Sequence, residues 1–493
     1  MKSKEFFAGW ENVDITPQQP VCLCGQFSAR VSEGIKDPIT STICFFESVA
    51  QDGATSHAVI VSCDLVAIPG QFRKAIVEKT KIMMPDVRDE EIIISATHTH
   101  TAPEVGGDIL RGTEGLDIKD IYGVELVVME IPDYIEFASA KIAHGIKNAR
   151  EKKHRCGIGF GLGFAVVGFN RRVTYYDGSS KMYGNTNESL FSHIEGYEDH
   201  SINIMGTWDQ SKNLTGLIVN IACPSQVEEQ LFVISADYWN EVRMELKRRF
   251  GEKIYVLPQC DTAGDQSPHV VLCKQAYQRM WNLSGRTQRQ DIAIRVVDGI
   301  QRVLPDIEKD IDYQPEFKMA HKTLRLTGYG IYEKDLKEFE KEAEKHKKEY
   351  DRLKVEIEKN PEKKNKPRWY LDITYNFRRY RWYNSYKERC QHLKKNPKVP
   401  VDIYALRIGD MVFSTNPFEL YLDYGLRIKA RSPATQTFVV QLAGGGTYLP
   451  TERAVKGKSY GAIGPSCVVG PEGGKELVEQ SLEVINSLWE KKL

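Results

Sequence analysis

Short apolar segments along the chain predict β-strands. They are rich in β-branched residues, each ends in a polar or glycine-rich turn, and they cover residues 57–65, 90–98, 214–222, 252–259, 411–417 and 437–443. Helical periodicity falls between them, over residues 70–82, 132–150, 237–250, 277–303, 418–431 and 474–490. This alternation predicts a mixed α/β (α+β) fold in which layered sheets are flanked by helices. A ligand site is then expected beyond the carboxyl ends of the strands.

The segment 331–400 differs from the rest of the chain in its charge and aromatic content. Residues 333–366 carry 23 charges in 34 positions. Their apolar positions recur at alternating steps of three and four: Leu336, Phe339, Ala343, His346, Tyr350, Leu353 and Ile357. That spacing predicts a helix with one apolar stripe and solvated other faces. We predict that 331–400 is a helical hairpin inserted into a catalytic domain made of residues 1–330 and 401–493.

The second half of this hairpin, 368–395, places eight aromatic residues among arginines and lysines. Proteins that bind single-stranded RNA use a similar pattern for base stacking. The i, i+4, i+7 spacing of Ile373, Phe377 and Tyr380 instead favours packing against the first helix. We therefore expect no nucleic-acid partner.

The overall charge balance also favours a small-molecule partner. Among 493 residues, 67 Lys and Arg offset 67 Asp and Glu, whereas proteins that recognise nucleic acids or membranes by bulk charge carry a positive excess. No uncharged apolar run approaches the roughly 18 residues of a membrane helix, so no transmembrane segment is expected. Ten scattered cysteines and no visible signal peptide predict a cytoplasmic protein, or a secreted or periplasmic one if a leader was removed. Nothing in the sequence indicates an oligomeric state.

Polar residues that suit catalysis follow several predicted strands. In SATHTHTAP (95–103), an extended strand would point His98 and His100 to one face, as a metal site or a structural histidine pair would require. Cys223 follows strand 214–222 and is either a thiolate ligand or a buried structural cysteine. The turn after 252–259 holds Asp265, Ser267 and His269. Glu419 is expected in the first turn of a helix, where a carboxylate also complements the helix dipole.

Six motifs together resemble the neutral/alkaline non-lysosomal ceramidase family. They are ITP (15–17), SATHTHTAP (95–103), FNRR (169–172), GDQSP (264–268), NPFELYLDYGLRIKARSP (416–433) and TFVVQLAGGGTYLPTERA (437–454). The family comprises zinc amidohydrolases that cleave the N-acyl bond of ceramide, and the resemblance extends from about residue 8 to the C-terminus. It implies a zinc cofactor and the catalytic domain of such an enzyme.

The resemblance also implies roles for individual residues. Zinc ligands are expected at His98, Glu419 and Tyr448. Substrate and transition-state contacts are expected at His100, Arg171, Ser267 and Tyr460, with further substrate contacts at Gly25, Asp265 and His269.

Two departures from the family pattern affect the expected chemistry. Where the family has a second zinc histidine, this chain reads Ala222-Cys223-Pro224-Ser225-Gln226. Either the Cys223 thiolate replaces that imidazole, or the metal site is weakened or lost; His269 is a further stand-in. Because the sequence ends at Leu493, we expect no counterpart of the family's additional β-sandwich domain, and no apolar approach surface for a membrane is evident.

We therefore expect a zinc-dependent hydrolase that cleaves an amide or ester bond by a metal-activated water. Its expected substrate is a small molecule, a lipid amide or sugar conjugate, rather than membrane ceramide. One alternative is a glycoside-type hydrolase on the same scaffold, with Glu419 or Asp265 as acid and base. Another is a non-catalytic ligand-binding homologue that has lost a zinc ligand.

Overall fold

The computed structural model describes residues 3–106 and 117–490. Its strands are β1 (Glu5–Asp14), β2 (Thr40–Val49), β3 (Thr55–Cys63), β4 (Ile92–Ala96), β5 (His154–Phe164), β6 (Phe169–Asn170), β7 (Arg172–Tyr175), β8 (Ser180–Met182), β9 (Phe191–Ile194), β10 (Ser201–Asp209), β11 (Leu214–Ile221), β12 (Tyr255–Cys260), β13 (Gln266–Ser267), β14 (Phe317–Thr327), β15 (Lys398–Ile408), β16 (Met411–Thr415), β17 (Glu419–Leu420), β18 (Gln436–Val440) and β19 (Tyr448–Leu449). Its helices are α1 (Gly70–Met83), α2 (Ile118–Tyr122), α3 (Ile131–Glu151), α4 (Tyr238–Phe250), α5 (Lys274–Ser284), α6 (Gln288–Ile307), α7 (Glu333–Lys359), α8 (Leu371–Lys395), α9 (Leu422–Arg431), α10 (Glu452–Gly457) and α11 (Pro471–Ser487).

Two mixed sheets form the centre of the molecule. The larger has eight strands in the order β12-β11-β10-β5-β1-β2-β3-β4, and the smaller has four in the order β14-β15-β16-β18. Most neighbouring strands are antiparallel, but β3 with β4, β11 with β12, and β16 with β18 are parallel. Each parallel pair therefore ends at one common edge of its sheet.

The side chains of the larger sheet are buried on both of its faces. In β2, Cys44 and Phe46 share a core with Phe413 of the smaller sheet, whereas Phe45 packs in a second core with Phe72 of α1. This double burial explains why the strands read as continuous apolar runs. The order of layers is helices (α1, α3, α4 and α6), larger sheet, smaller sheet, and helices again (α9, α11 and the hairpin).

The hairpin lies between two strands that pair directly with each other. β14 and β15 are antiparallel neighbours with Thr327 opposite Lys398, and α7 and α8 occupy the chain between them. Rings from the two helices pack together, with centroids 5.0 Å apart for Tyr350 and Phe377. Phe377 therefore packs within the hairpin, as its helical spacing predicts, whereas Trp382 of the same helix packs against Phe27 and Tyr460 outside it.

One predicted helix, 277–303, is divided into α5 and α6. Gly285 adopts a left-handed conformation with φ of 65° and ends α5. Thr287 and Gln290 then form a capping box that begins α6. The predicted class, layered sheets flanked by helices with a helical hairpin, is otherwise confirmed. No helix of the described residues combines the length and apolarity that crossing a bilayer requires.

Candidate active site

The candidate site lies where the carboxyl ends of the parallel strand pairs from both sheets meet. Gln441, just after β18, joins these ends: its Oε1 accepts from the backbone N–H groups of Ala263 and Leu420, and its Nε2 donates to Sγ of Cys260. The chain segments that follow β4, β11, β12, β16 and β18 carry His98, Gln226, Ser267, Glu419 and Tyr448. The candidate residues therefore lie beyond the ends of these strands.

His98 enters the site from a turn rather than from a strand. The predicted strand through His98 and His100 was wrong in this detail, because β4 ends at Ala96 and His98 has a left-handed φ of 65°. The turn still brings both imidazoles together, with the two Nε2 atoms 3.3 Å apart. Nδ1 of His98 lies 2.7 Å from the carbonyl oxygen of Val66, which fixes the ring and leaves Nε2 facing the site.

Glu419 belongs to a short strand, so its predicted place in a helix was wrong. β17 pairs in parallel with β19, which puts Glu419 directly opposite Tyr448, and α9 begins only at Leu422. The Glu419 carboxylate is 6% exposed, and its Oε2 lies 3.5 Å from Nε2 of His98. Burial first, and then this carboxylate, raises the pKa of Tyr448 well above its usual value. His98, Glu419 and Tyr448 therefore lie together in the structure, and their role as zinc ligands stays a prediction.

His100 is fixed on three sides. Its Nε2 lies 2.6 Å from Nε2 of Gln226, and its Nδ1 lies 3.4 Å from Oε2 of Glu229. Gly25, with φ of 101°, backs the ring so closely that a Cβ at this position would be 2.5 Å from Cγ of His100. Burial first, and then neighbouring His98 and Arg30, hold the pKa of His100 well below its usual range. The imidazole is thus neutral at pH 7, and accepts at Nε2 from the Gln226 amide.

Arg171 supplies a buried positive charge beside this cluster. Its guanidinium donates to the carbonyl of Gly264 (2.9 Å), to the Tyr183 hydroxyl (2.9 Å), to Oε1 of Gln226 (3.3 Å) and to the Tyr448 hydroxyl (3.3 Å). Because a guanidinium stays protonated, Arg171 is a permanent cation at this position. Gln226 therefore bridges the cation and His100.

Ser267 and His269 reach the cluster through other residues. The Tyr183 hydroxyl, already bonded to Arg171, donates to Oγ of Ser267 at 3.1 Å. Nε2 of His269 lies 3.3 Å from Oε1 of Glu229, whose other oxygen faces His100. Both residues are thus connected to Arg171 and His100 by one intervening side chain.

Both carboxylate oxygens of Asp265 accept hydrogen bonds from groups within the protein. Its Oδ1 accepts from the backbone N–H of Leu422, and its Oδ2 accepts from Nδ2 of Asn170. Burial raises the pKa of this carboxyl above its usual value. Both carboxylate oxygens are engaged inside the protein, so the contacts of Asp265 are those of a structural anchor for α9.

The structure does not bring Cys223 to His98 and Glu419, which corrects the predicted ligand set. Cys223 is 1% exposed and packs in an apolar core with Trp239 and Val242 of α4. Burial raises the pKa of its thiol well above the usual value. Within residues 3–106 and 117–490, no three or more His, Cys, Asp and Glu side chains group together as a metal site.

A pocket opens over Glu419. Gly25, Glu419, Tyr448 and Tyr460 line it, and its cavity volume is about 140 Å³. An apolar cavity of about 150 Å³ accommodates a benzene ring. The pocket therefore has room for a compact group next to Glu419. Its wall is partly aromatic, since the Tyr460 ring lies 5.5 Å from that of Tyr448.

Gln226, Glu229 and Tyr183 are central to these contacts, but sequence reasoning did not select them. Gln226 carries the nearest available signal, because it lies in the segment expected to supply the missing histidine. Glu229 and Tyr183 stand in polar stretches without a distinguishing pattern. Their positions depend on tertiary structure.

The fold is similar to that of solved ceramidase structures. Neutral ceramidase from Pseudomonas aeruginosa matches with a TM-score of 0.68 over 98% of this chain and 74% of the other, at 14% sequence identity. A ceramidase complexed with C2 matches with a TM-score of 0.65 over 98% of this chain and 75% of the other, also at 14% identity. No family model matches the chain, and neither does any curated protein. At this identity the likeness shows a ceramidase-like fold, and family membership stays a prediction.

Proposed function

We propose that this protein is a zinc-dependent hydrolase that cleaves the amide bond of a small molecule other than membrane ceramide. The observation that carries the proposal is the approach of Nε2 of His98 to Oε2 of Glu419, 3.5 Å away, beneath a pocket in a ceramidase-like fold. An ester is a closely related substrate, because the same carbonyl chemistry applies.

The arrangement of His98 and Glu419 supports a bound cation. His98 directs Nδ1 to the Val66 carbonyl, so a neutral ring presents a lone pair at Nε2. Metal-binding histidines use the same arrangement, in which the second ring nitrogen donates to a backbone carbonyl. The neighbour of that lone pair is the Glu419 carboxylate, which is an acceptor as well. Two acceptor atoms that face one another favour a cation between them.

His98, Glu419 and Tyr448 would hold the zinc. Three protein ligands are the number found in catalytic zinc sites, where one further position is left for water. When bound, zinc polarises a carbonyl and lowers the pKa of a bound water towards 7. A phenol must lose its proton to become a ligand, so metal binding at Tyr448 would release a proton.

His100 and Glu229 are suited to move protons. The low pKa of His100 keeps its ring neutral, so Nε2 would take a proton from water in place of the Gln226 amide hydrogen that it accepts in this structure. Glu229, 3.4 Å from Nδ1, would then stabilise the imidazolium, as a carboxylate does behind many catalytic histidines. In the hydrolysis, the water oxygen bonds to the carbonyl carbon, the C–N bond breaks, and the proton held by His100 passes to the leaving amine.

Arg171 is suited to stabilise the oxyanion that develops during attack. It is 3% exposed and is held by four hydrogen bonds, so it needs no reorganisation when negative charge appears. Ser267 supports Tyr183 in this network and is not placed on a nucleophile elbow. We assign it an orienting role. Tyr460 lines the pocket and is placed to contact the substrate.

The test combines metal analysis with turnover. Protein purified after zinc supplementation should hold about one zinc per chain by elemental analysis and should release carboxylate from short N-acyl compounds. His98→Ala should lose both the metal and the activity, whereas His144→Ala, a change to an exposed histidine of α3, should keep them. Full turnover in metal-free protein would overturn zinc dependence. Ligand binding without turnover of any amide or ester would instead support a non-catalytic homologue.

A further inference from the structure

The hairpin contributes to the candidate site. Arg378, Arg381 and Trp382 of α8 line the same pocket as Glu419 and Tyr460. The insertion between β14 and β15 therefore forms one wall of the pocket over the site, and its side chains can determine which substrates enter.

Among residues 3–106 and 117–490, the guanidinium of Arg378 has no hydrogen-bond acceptor. Its side chain is 21% exposed, and its nearest carboxylate oxygen, Oε2 of Glu104, is 3.8 Å from Nη1. The guanidinium also lies over the Tyr122 ring, 4.9 Å from the centroid. At 3.8 Å the contact with Glu104 is an ion pair too long for a hydrogen bond, and Arg378 forms no hydrogen bond with any described residue. Most of the donors of this mostly buried cation are thus available to a ligand.

The shape and charge of the Arg378 guanidinium indicate which ligand it would bind. A guanidinium is a planar fork of N–H donors that matches the two oxygens of a carboxylate. Within a pocket, a few charged groups of this kind fix the orientation of the ligand and its specificity. A substrate with a carboxylate would supply the acceptors that Glu104 does not.

Three aromatic rings line the same pocket as Arg378 and Arg381. The centroid of Phe27 lies 5.3 Å from that of Trp382 and 6.1 Å from that of Tyr460. Trp382 and Tyr460 are themselves 5.8 Å apart. The rings come from three distant chain segments and form a continuous apolar surface. A compact apolar or aromatic group would pack against it.

We propose that the substrate is a compact amide that carries a carboxylate, of the N-acyl amino acid class, and that Arg378 binds this carboxylate. The proposal rests on the proposed amide hydrolysis and names its substrate class. Hydrolysis would add water across the C–N bond and yield a carboxylic acid and a free amino acid. Arg378 is a specificity residue in this proposal, since it binds a part of the substrate that does not react.

Binding and turnover are measured separately, on one pair of matched ligands. N-acetylphenylalanine and its neutral carboxamide differ only in the charged group. In calorimetry, the full-length zinc-loaded protein should bind the carboxylate at least tenfold more tightly than the carboxamide, the size expected for a charged hydrogen-bonded contact. Arg378→Gln should abolish that preference. Lys387→Gln, a change to an exposed residue of the same helix, should leave it intact.

Glu104→Gln separates ligand binding from a purely structural ion pair. If Arg378 serves the ligand, removing the competing Glu104 carboxylate should keep or strengthen carboxylate binding. Weaker binding in Glu104→Gln would show that Arg378 serves only as the partner of Glu104, and would overturn the proposal. This variant keeps Arg378, so the comparison remains decisive even if Arg378→Gln does not fold.

The outcomes distinguish the two proposals. Equal binding of both ligands, with equal turnover in Arg378→Gln, would overturn the substrate class while leaving amide hydrolysis intact. Tight carboxylate binding that depends on Arg378, without acetate release, would support the substrate class but overturn amide hydrolysis. Inorganic phosphate that competes as strongly as N-acetylphenylalanine would show a general anion site and would also overturn the carboxylate assignment.

Discussion

The side-chain amide of Gln226 donates to Nε2 of His100 across 2.6 Å and accepts from Arg171 at 3.3 Å. One uncharged side chain thus links the candidate base with the candidate oxyanion-binding cation. It lies in the segment where the ceramidase family, which this sequence resembles, is expected to have a zinc histidine. Gln226 instead gives this segment a hydrogen-bonding group that orients its neighbours.

Gln226→Leu should lower kcat/KM while leaving the fold intact. Leucine fills a similar volume but removes both hydrogen bonds, so His100 and Arg171 would lose their common support. We expect a loss of about tenfold to a hundredfold, equivalent to one or two hydrogen bonds to charged or catalytic groups. Steady-state kinetics with a short N-acyl substrate measures it. Gln278→Leu, on the exposed face of α5, is the control, and an equal loss there would contradict the assigned role.

Glu229→Gln should move the acid limb of the pH profile. The low pKa of His100 keeps the base neutral, so activity should fall only as the pH drops through that pKa, below the usual value of about 6.5. Removing the carboxylate disfavours the imidazolium and lowers that pKa further. The acid limb of kcat/KM should therefore shift to lower pH, and kcat should fall about tenfold or more because the imidazolium is less stable.

The control for this shift is Glu228→Gln. Glu228 is adjacent in sequence, but its carboxylate pairs with Lys36 and Arg289 rather than with His100. Its removal should leave the pH of the acid limb unchanged. If both variants move the limb equally, the effect is one of overall charge, and the assigned pairing of Glu229 with His100 is wrong.

Local sequence pattern predicted the layers well because burial acts on each strand directly. The alternation of Cys44, Phe45 and Phe46 between two cores needs an apolar residue at every position, and such a run is recognisable in sequence. The approach of His98 to Glu419 was expected from the resemblance to the ceramidase family, since β4 and β16 belong to different sheets. The layers therefore follow from local periodicity, whereas this approach does not.

The remaining contacts depend on turns and on packing between distant segments. The direction of Cys223 is set by the turn after β11, which turns its thiol into the core beside α4. Glu229 acquires its role only when the loop after β11 packs against His100 and His269. The direction of a side chain just after a strand leaves no periodic pattern in the sequence. The same is true of a contact between residues that are far apart along the chain.

Cys223→Ala should leave zinc content and turnover unchanged. Its sulfur packs among apolar side chains, so the variant loses core packing, and the free energy of unfolding should fall by about 1–2 kcal/mol. Elemental analysis and urea unfolding measure the two effects. Loss of the metal in Cys223→Ala at full folding would restore the thiolate to the ligand set.

Gly25→Ala should inactivate the protein by displacing His100. Two effects act on this glycine: its φ of 101° is unfavourable for any residue with a Cβ, and that Cβ would lie 2.5 Å from Cγ of His100. Gly53→Ala separates them, because Gly53 has a comparable φ of 86° but a Cβ there would meet no described atom within 4 Å. Both variants should lose about 1–3 kcal/mol of stability from backbone strain, as thermal unfolding would report. Only Gly25→Ala should also lose most of its kcat/KM, since only there must the imidazole move; equal activity in the two variants would show that the position of His100 does not matter for turnover.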